Sequence, residues 1–247
     1  MEQKINRNTI IFKGAEKMRK LKRSIFIVFA LFGIVGTGCE AIDVQKDSLS
    51  EIKQVFTKRD EKQLQNPQVE IVNQNKPNFS EEDFSLENGN WQIFSELDRL
   101  NRVGVASALL HKSRMPSEER ERLYIKPTGW KQKKMKNGDY FYNRCHLIGY
   151  QLTGENNNPR NLMTGTRSFN TPGMVEYENK VADYLRKTGN HVLYRVTPDF
   201  RENELVARGV RIEAQSIKDG QLSFHVYVHN VQEGYTINYL TGESSVN

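Results

Sequence analysis

Cysteine is nearly absent from this 247-residue chain: there are two, Cys39 and Cys145. Two cysteines cannot build the disulfide framework that staples small secreted domains. They also exclude a Cys-rich zinc site. Long apolar runs are scarce too. One covers roughly fifteen residues, Ser24 to Gly38, and a bilayer-spanning helix needs about 20. Hydrophobic residues make up 37% of the chain and mean hydropathy is −0.69, so part of the chain is expected not to pack. No internal repeat is visible.

What the chain has in excess is positive charge, +6 at pH 7, with a pI near 9.2. A basic balance suits a polyanion such as nucleic acid, or an anionic membrane surface. Plain solubility would explain it equally well.

The basic cluster Arg19, Lys20, Lys22 and Arg23 precedes the apolar run, and small residues and Cys39 follow it. That is the layout of a secretory signal, with Met18 a candidate start. Gly36-Thr37-Gly38-Cys39 resembles a bacterial lipoprotein cleavage site, with Gly36 where a leucine is usual. Three outcomes stay open: lipidation at Cys39, ordinary cleavage, or an uncleaved anchor. Each puts the remainder outside the cytoplasm. Residues 40–88 are polar and aperiodic, and read as a disordered tether with a short helix near 50–65. The division expected is therefore 1–39 signal or anchor, 40–88 linker, and 89–247 folded domain.

From Trp91 the texture changes. A short helix is expected at Phe94–Leu100, and strands at 102–110 and 139–147. Thr171-Pro172 reads as a helix start, with Thr as N-cap and Pro at the first position. Val175, Glu178, Val181 and Leu185 follow at helical spacing, and Gly189 stops the run. Three more strands are expected at 191–198, 204–217 and 222–231. Strands, one central helix and further strands indicate an α+β domain with an antiparallel sheet.

The chemistry concentrates in YNRCHLIGYQLTGENNNPRNLMTGTRSFN, residues 142–170. A packed core would not use so many amides. His146 follows a strand, and a neutral imidazole can take a proton from water near pH 7. Hydrolysis of a phosphodiester needs such a base and a cation to neutralise developing charge. A hard cation such as Mg²⁺ prefers oxygen ligands and keeps several waters, so one amide oxygen can suffice. Asn161 and Asn170 are candidates, though turn or cap chemistry is the ordinary role of either. Glu178, eight residues past Asn170, could hold metal-bound waters, or simply face solvent. Lys126, Lys131, Lys133, Lys134 and Lys136 precede the catalytic strand, and Arg160 and Arg167 flank the loop. Together they read as a backbone-tracking phosphate groove. His225 and His229 alternate with Phe224, Val226 and Val228, a strand pattern that puts both on an exposed face rather than in a metal site.

NRCHLIGYQLTGENNNPRNLMTGTRSFN followed by VEYENKVADYL resembles the DNA/RNA non-specific endonuclease family, above all its streptococcal DNA-entry nucleases and secreted DNases. RVGVASALLHKSRMPSEERERLYIKPTGW is similar to that branch's upstream segment, so the resemblance runs from about Trp91 to the C-terminus. It implies a ββα-metal core, an antiparallel sheet with a central catalytic helix. It implies DNA hydrolysis with little sequence preference, often RNA too, leaving 5′-phosphate ends. It also implies one Mg²⁺, with Mn²⁺ able to substitute. On the matching positions, His146 is the general base, Asn170 the direct metal ligand and Glu178 the organiser of metal-bound water. Asn161 is a supporting amide and Arg144 the hallmark arginine. Asn143 and Cys145 depart from the Asp-Arg-Gly-His hallmark, in place of Asp and Gly. Cys145 reads as a small hydrophobe rather than a nucleophile. The partners expected are DNA, with RNA open, and a membrane through the N-terminal segment; an inhibitor protein also stays open. The rival readings are a catalytically impaired nucleic-acid receptor of the same fold and a structural surface lipoprotein.

Overall fold

The computed structural model describes residues 68–247; the expected signal segment and the helix near 50–65 lie outside them. Alternation of apolar and polar residues builds the main sheet. Its strands are β1 (Val69–Ile71), β2 (Trp91–Phe94), β3 (Ala106–Leu110), β6 (Val192–Pro198), β7 (Gly209–Ser216) and β8 (Ser223–His229). The order is β1-β8-β7-β6-β3-β2, with every neighbouring pair antiparallel. Ala106, Val196, Ile212 and Val226 line up across four strands, as do Ala108, Tyr194, Ala214 and Phe224. These rows form one apolar face, because side chains two apart on a strand share a side.

Helix α1 (Val175–Thr188) covers that face. It buries Tyr177, Glu178, Val181, Ala182 and Leu185, and Val181, Ala182 and Leu185 join the core of the sheet. Burying a side chain such as Leu185 contributes about 1.5–3 kcal/mol. Gly189 ends the helix in a left-handed conformation, φ 66°, which glycine adopts without a Cβ penalty. A separate two-stranded ladder pairs β4 (Tyr142–His146) with β5 (Leu162–Thr166). A second pairs β9 (Tyr235–Ile237) with β10 (Ser244–Val246). The α+β class with an antiparallel sheet and a helix is as expected.

Four local expectations are corrected. Trp91–Phe94 is a strand paired with β3, and no helix spans Phe94–Leu100. Thr171 does not cap α1: the Thr171–Pro172 peptide is cis and lies in a wide turn, Phe169–Met174, before the helix starts at Val175. The folded domain reaches upstream of residue 89, because β1 pairs with β8 and Asn75, Lys76 and Asn78 bond to the outer face of the sheet. For the same reason His225 is buried rather than exposed; its Nδ1 lies 3.0 Å from the Lys76 carbonyl. Among the described residues no helix is long and apolar enough to cross a membrane.

Candidate active site

The β4–β5 ladder ends at His146 and its partner Leu162. One helical turn, Tyr150–Thr153, follows, and α1 brings Glu178 in from the other side. The result is a cleft of about 250 Å³ lined by Arg120, Arg144, His146, Gly149, Tyr150, Gln151, Asn170, Val175 and Glu178. Four of the residues singled out from the sequence thus meet: His146, Arg144, Asn170 and Glu178.

His146 is only 6% exposed. Its Nε2 lies 2.8 Å from the Asn156 carbonyl. A carbonyl can only accept, so Nε2 carries the proton and Nδ1 holds the lone pair. Nδ1 in turn accepts from Arg120 Nη2 at 3.3 Å. Burial holds the His146 pKa down to about 4; the Asn156 carbonyl opposes this and the Arg120 charge reinforces it. The imidazole is therefore neutral at physiological pH, with its basic nitrogen turned to the cleft.

Glu178 is buried, and burial pushes its carboxyl up to about 7, against the downward pull of Gln151 and Arg120. Its carboxylate lies against Gly149: a Cβ built there would come within 2.4 Å of Glu178 Oε2. Glycine at 149 is thus what lets the carboxylate enter the cleft. Asn170 uses its amide nitrogen on Thr171 Oγ1 at 3.1 Å, and its amide oxygen accepts no hydrogen bond from the described residues. A free amide oxygen near a buried carboxylate fits a hydrated hard cation. Among the described residues no group of three or more His, Cys, Asp or Glu is arranged to hold a metal, so this donor set differs from a multidentate transition-metal cage.

Asn161 is brought near but not into the cleft. It is fully buried, accepts from the Ile148 N–H at 2.9 Å and donates to the Ile148 carbonyl at 3.0 Å. Both ends of its amide are spent on holding the backbone after His146. Arg144 donates through Nε to the Ile125 carbonyl, and its guanidinium stacks 4.5 Å from the Trp130 ring centroid.

The predicted phosphate groove is not assembled in the cleft wall. Lys133 donates to the Ser244 carbonyl and lies 5.3 Å from the Phe141 and Tyr235 rings. Lys134 covers Tyr140 at 5.8 Å. Arg160 pairs with Glu96 and Arg167 with Asp139. Lys126 is exposed and does not line the cleft. Sequence proximity to a loop does not make these side chains converge.

Arg120 is the cleft residue that sequence reading missed. Its Nε donates to Asn156 Oδ1 at 3.1 Å. Asn156 Nδ2 donates to the Glu121 carbonyl, Asn157 Nδ2 to the Arg122 carbonyl, and Asn157 Oδ1 accepts from the Tyr124 N–H. The amide crowd is thus a zipper that draws the segment around Arg120 onto the site. The run of asparagines was the available signal, but its partner strand of chain was not legible. Cys145 is wholly buried, and burial raises its thiol far above the ordinary range, so it is no nucleophile. Its room comes from Gly165, where a Cβ would meet Cys145 Sγ at 2.5 Å.

A sequence model of the DNA/RNA non-specific endonuclease family matches residues 84–218. The structure of NucA from Streptococcus agalactiae, known without metal and with a magnesium ion, aligns with a TM-score of 0.65 and 29% identity. That alignment covers 72% of this chain and 87% of NucA. The Sda1 nuclease, known with a zinc ion, aligns with a TM-score of 0.62 over 75% of this chain and 98% of its own; at 23% identity this likeness supports the fold alone. A deoxyribonuclease of Streptococcus dysgalactiae subsp. equisimilis is 32% identical over 112 residues, 43% of this chain. The chain spans about a third of that relative's length, 34%. With the family model covering more than half of its length, the chain belongs to the DNA/RNA non-specific endonuclease family.

Proposed function

We propose that this chain is an exported endonuclease that hydrolyses phosphodiester bonds of DNA, and of RNA as a second substrate, with one divalent cation and His146 as general base. The observation that carries it is the cleft itself, where a neutral imidazole with its lone pair inward faces an unengaged amide oxygen, a buried carboxyl and two guanidinium groups.

A scissile phosphate entering the cleft competes for Arg120 and frees His146 Nδ1. Nδ1 then takes a proton from water, and the water oxygen attacks phosphorus in line with the 3′ oxygen. Arg120 and Arg144 face the charge that develops on the phosphorane. Asn156 keeps the imidazole in the required tautomer as it becomes positive. Glu178 accepts hydrogen bonds from water on the side of the cleft opposite the base. A cation on the Asn170 oxygen would neutralise the phosphorane and the departing oxygen. Mg²⁺ suits that oxygen donor, with Mn²⁺ a substitute. Cleavage of the bond between phosphorus and the 3′ oxygen leaves a 5′-phosphate end, and the departing oxygen takes a proton from solvent in the cleft to give the 3′-hydroxyl end. Export rests on the sequence of Arg19–Cys39, and the same segment would hold the enzyme at the membrane.

The test is plasmid nicking. Purified full chain and His146→Ala are incubated with supercoiled DNA in Mg²⁺ and in EDTA. Nicking by the unaltered chain alone, and only with Mg²⁺, is expected. If both proteins are folded and retard DNA but leave it intact, the catalytic reading fails and a nucleic-acid receptor replaces it.

A further inference from the structure

The wall formed by Tyr150 and Gln151 belongs to two cavities. One is the cleft just described. The other is a groove of about 730 Å³ lined by His111, Lys112, Ser113, Met115, Pro116, Tyr150, Gln151 and Arg186. Its charged lining residues are Lys112 and Arg186, and no carboxylate lines it. Arg186 has one ion-pair partner, Asp183 at 3.2 Å, and both side chains are largely exposed. The C-terminus of α1 adds about half a negative charge, which Lys112, Arg186 and the neighbouring Lys187 outweigh. The cavity on the outer face of the sheet differs: its arginines Arg201, Arg208 and Arg211 share their wall with Glu70 and Asp199, and Arg208 is held by Glu204.

The groove also offers flat surfaces. The His111 ring stacks on His191 with centroids 4.6 Å apart, and its Nδ1 is 2.9 Å from Ser113 Oγ. Tyr150 presents its ring between the groove and Arg120, whose guanidinium lies 5.8 Å from the ring centroid. Cations for phosphates beside aromatic faces for bases are the two elements of a sequence-tolerant single-strand site.

We propose that this groove is a nucleotide subsite continuous with the cleft, taking the nucleotide next to the scissile phosphate: its phosphate on Lys112 and Arg186, its base against His111 and Tyr150. The proposal rests on the nuclease reading and moves the phosphate-tracking surface from the lysines before β4 to the junction of β3 and the end of α1.

The test compares the full chain with Lys112→Ala/Arg186→Ala on two substrates, an oligonucleotide and the small chromogenic diester bis(p-nitrophenyl) phosphate, which carries no nucleoside to fill the groove. Binding of the labelled oligonucleotide is measured in the His146→Ala background across a salt series. The double variant is expected to raise KM for the oligonucleotide about tenfold with kcat unchanged, and to flatten the salt slope by about one, the share of the single phosphate that both cations hold. Turnover of the small diester should not move. Arg201→Ala/Arg211→Ala, which removes the same two charges from the outer face of the sheet, controls for lost net charge and should change neither quantity. Unchanged KM and salt slope would overturn the subsite, as would an equal loss on both substrates, which would mean damage to the cleft. If the unaltered chain cleaves nothing in Mg²⁺ yet oligonucleotide binding still depends on Lys112 and Arg186, the nuclease reading fails and the groove stands.

Discussion

His146 and Glu178 each prefer their neutral form for one reason, burial, and that preference has opposite consequences for stability. His146 is depressed to about 4, below its unfolded value, so between 6.5 and 4 the unfolded chain binds a proton that the folded chain refuses. Its contribution is complete above 6.5 and is lost as pH falls towards 4. Glu178 is raised to about 7, so between 4.5 and 7 the folded chain keeps a proton that the unfolded chain has released. Its contribution is complete below 4.5 and is lost as pH rises towards 7. The two slopes oppose across the shared window of 4.5–6.5, each about 1.4 kcal/mol per pH unit. Single substitutions should separate them. Urea unfolding in EDTA is expected to show Glu178→Gln gaining on the unaltered chain as pH rises, and His146→Gln gaining as pH falls. Parallel profiles for all three proteins would refute the assignment. The tautomer of His146, the free oxygen of Asn170 and the elevated Glu178 are properties of neighbours, and none could be read from the residues alone.

The loop between β4 and β5 shows why an amide-rich stretch is not necessarily a ligand-rich one. Asn156 and Asn157 zip to the segment carrying Arg120, Asn158 caps the turn Pro159–Asn161 by accepting from the Arg160 N–H, and Asn161 clamps Ile148. Asn161→Ala would strand a buried N–H and a buried carbonyl, at a cost of about 1–3 kcal/mol each. Asn161→Asp keeps the acceptor but buries a charge against the Ile148 carbonyl, so it should destabilise at least as much as Ala. Denaturation midpoints decide this, and an Asp variant more stable than Ala would show that the clamp is misread. The position of α1 was legible from Val181, Leu185 and Gly189. Its start was not, because Thr171-Pro172 has the composition of a cap while the backbone there forms a wide turn.

The whole domain depends on chain that reads as linker. Val69–Ile71 covers the edge of β8. The Gln68 side chain donates to the His229 and Val231 carbonyls, and Asn78 N–H reaches Glu213 Oε1 at 2.7 Å. A chain starting at Gly89 would leave β8 as an open edge and bare the buried Glu213 and His225. Open edges template aggregation. Such a chain should melt lower than one starting at Gln68 and form larger particles by light scattering; equal melting and size would show β1 to be dispensable.

The sequence by itself determined the α+β class, the strand and helix that flank the cleft, and the choice of His146, Asn170 and Glu178 as residues to look for there, because alternation, helical spacing and a motif of fixed residue types are local. Only the tertiary structure decided that Arg120 enters the cleft and Lys133 does not, that the Asn161 amide closes on the Ile148 backbone, and that β1 belongs to the sheet. Those outcomes depend on which distant segments pack together, and one chain's local pattern carries no record of its partners.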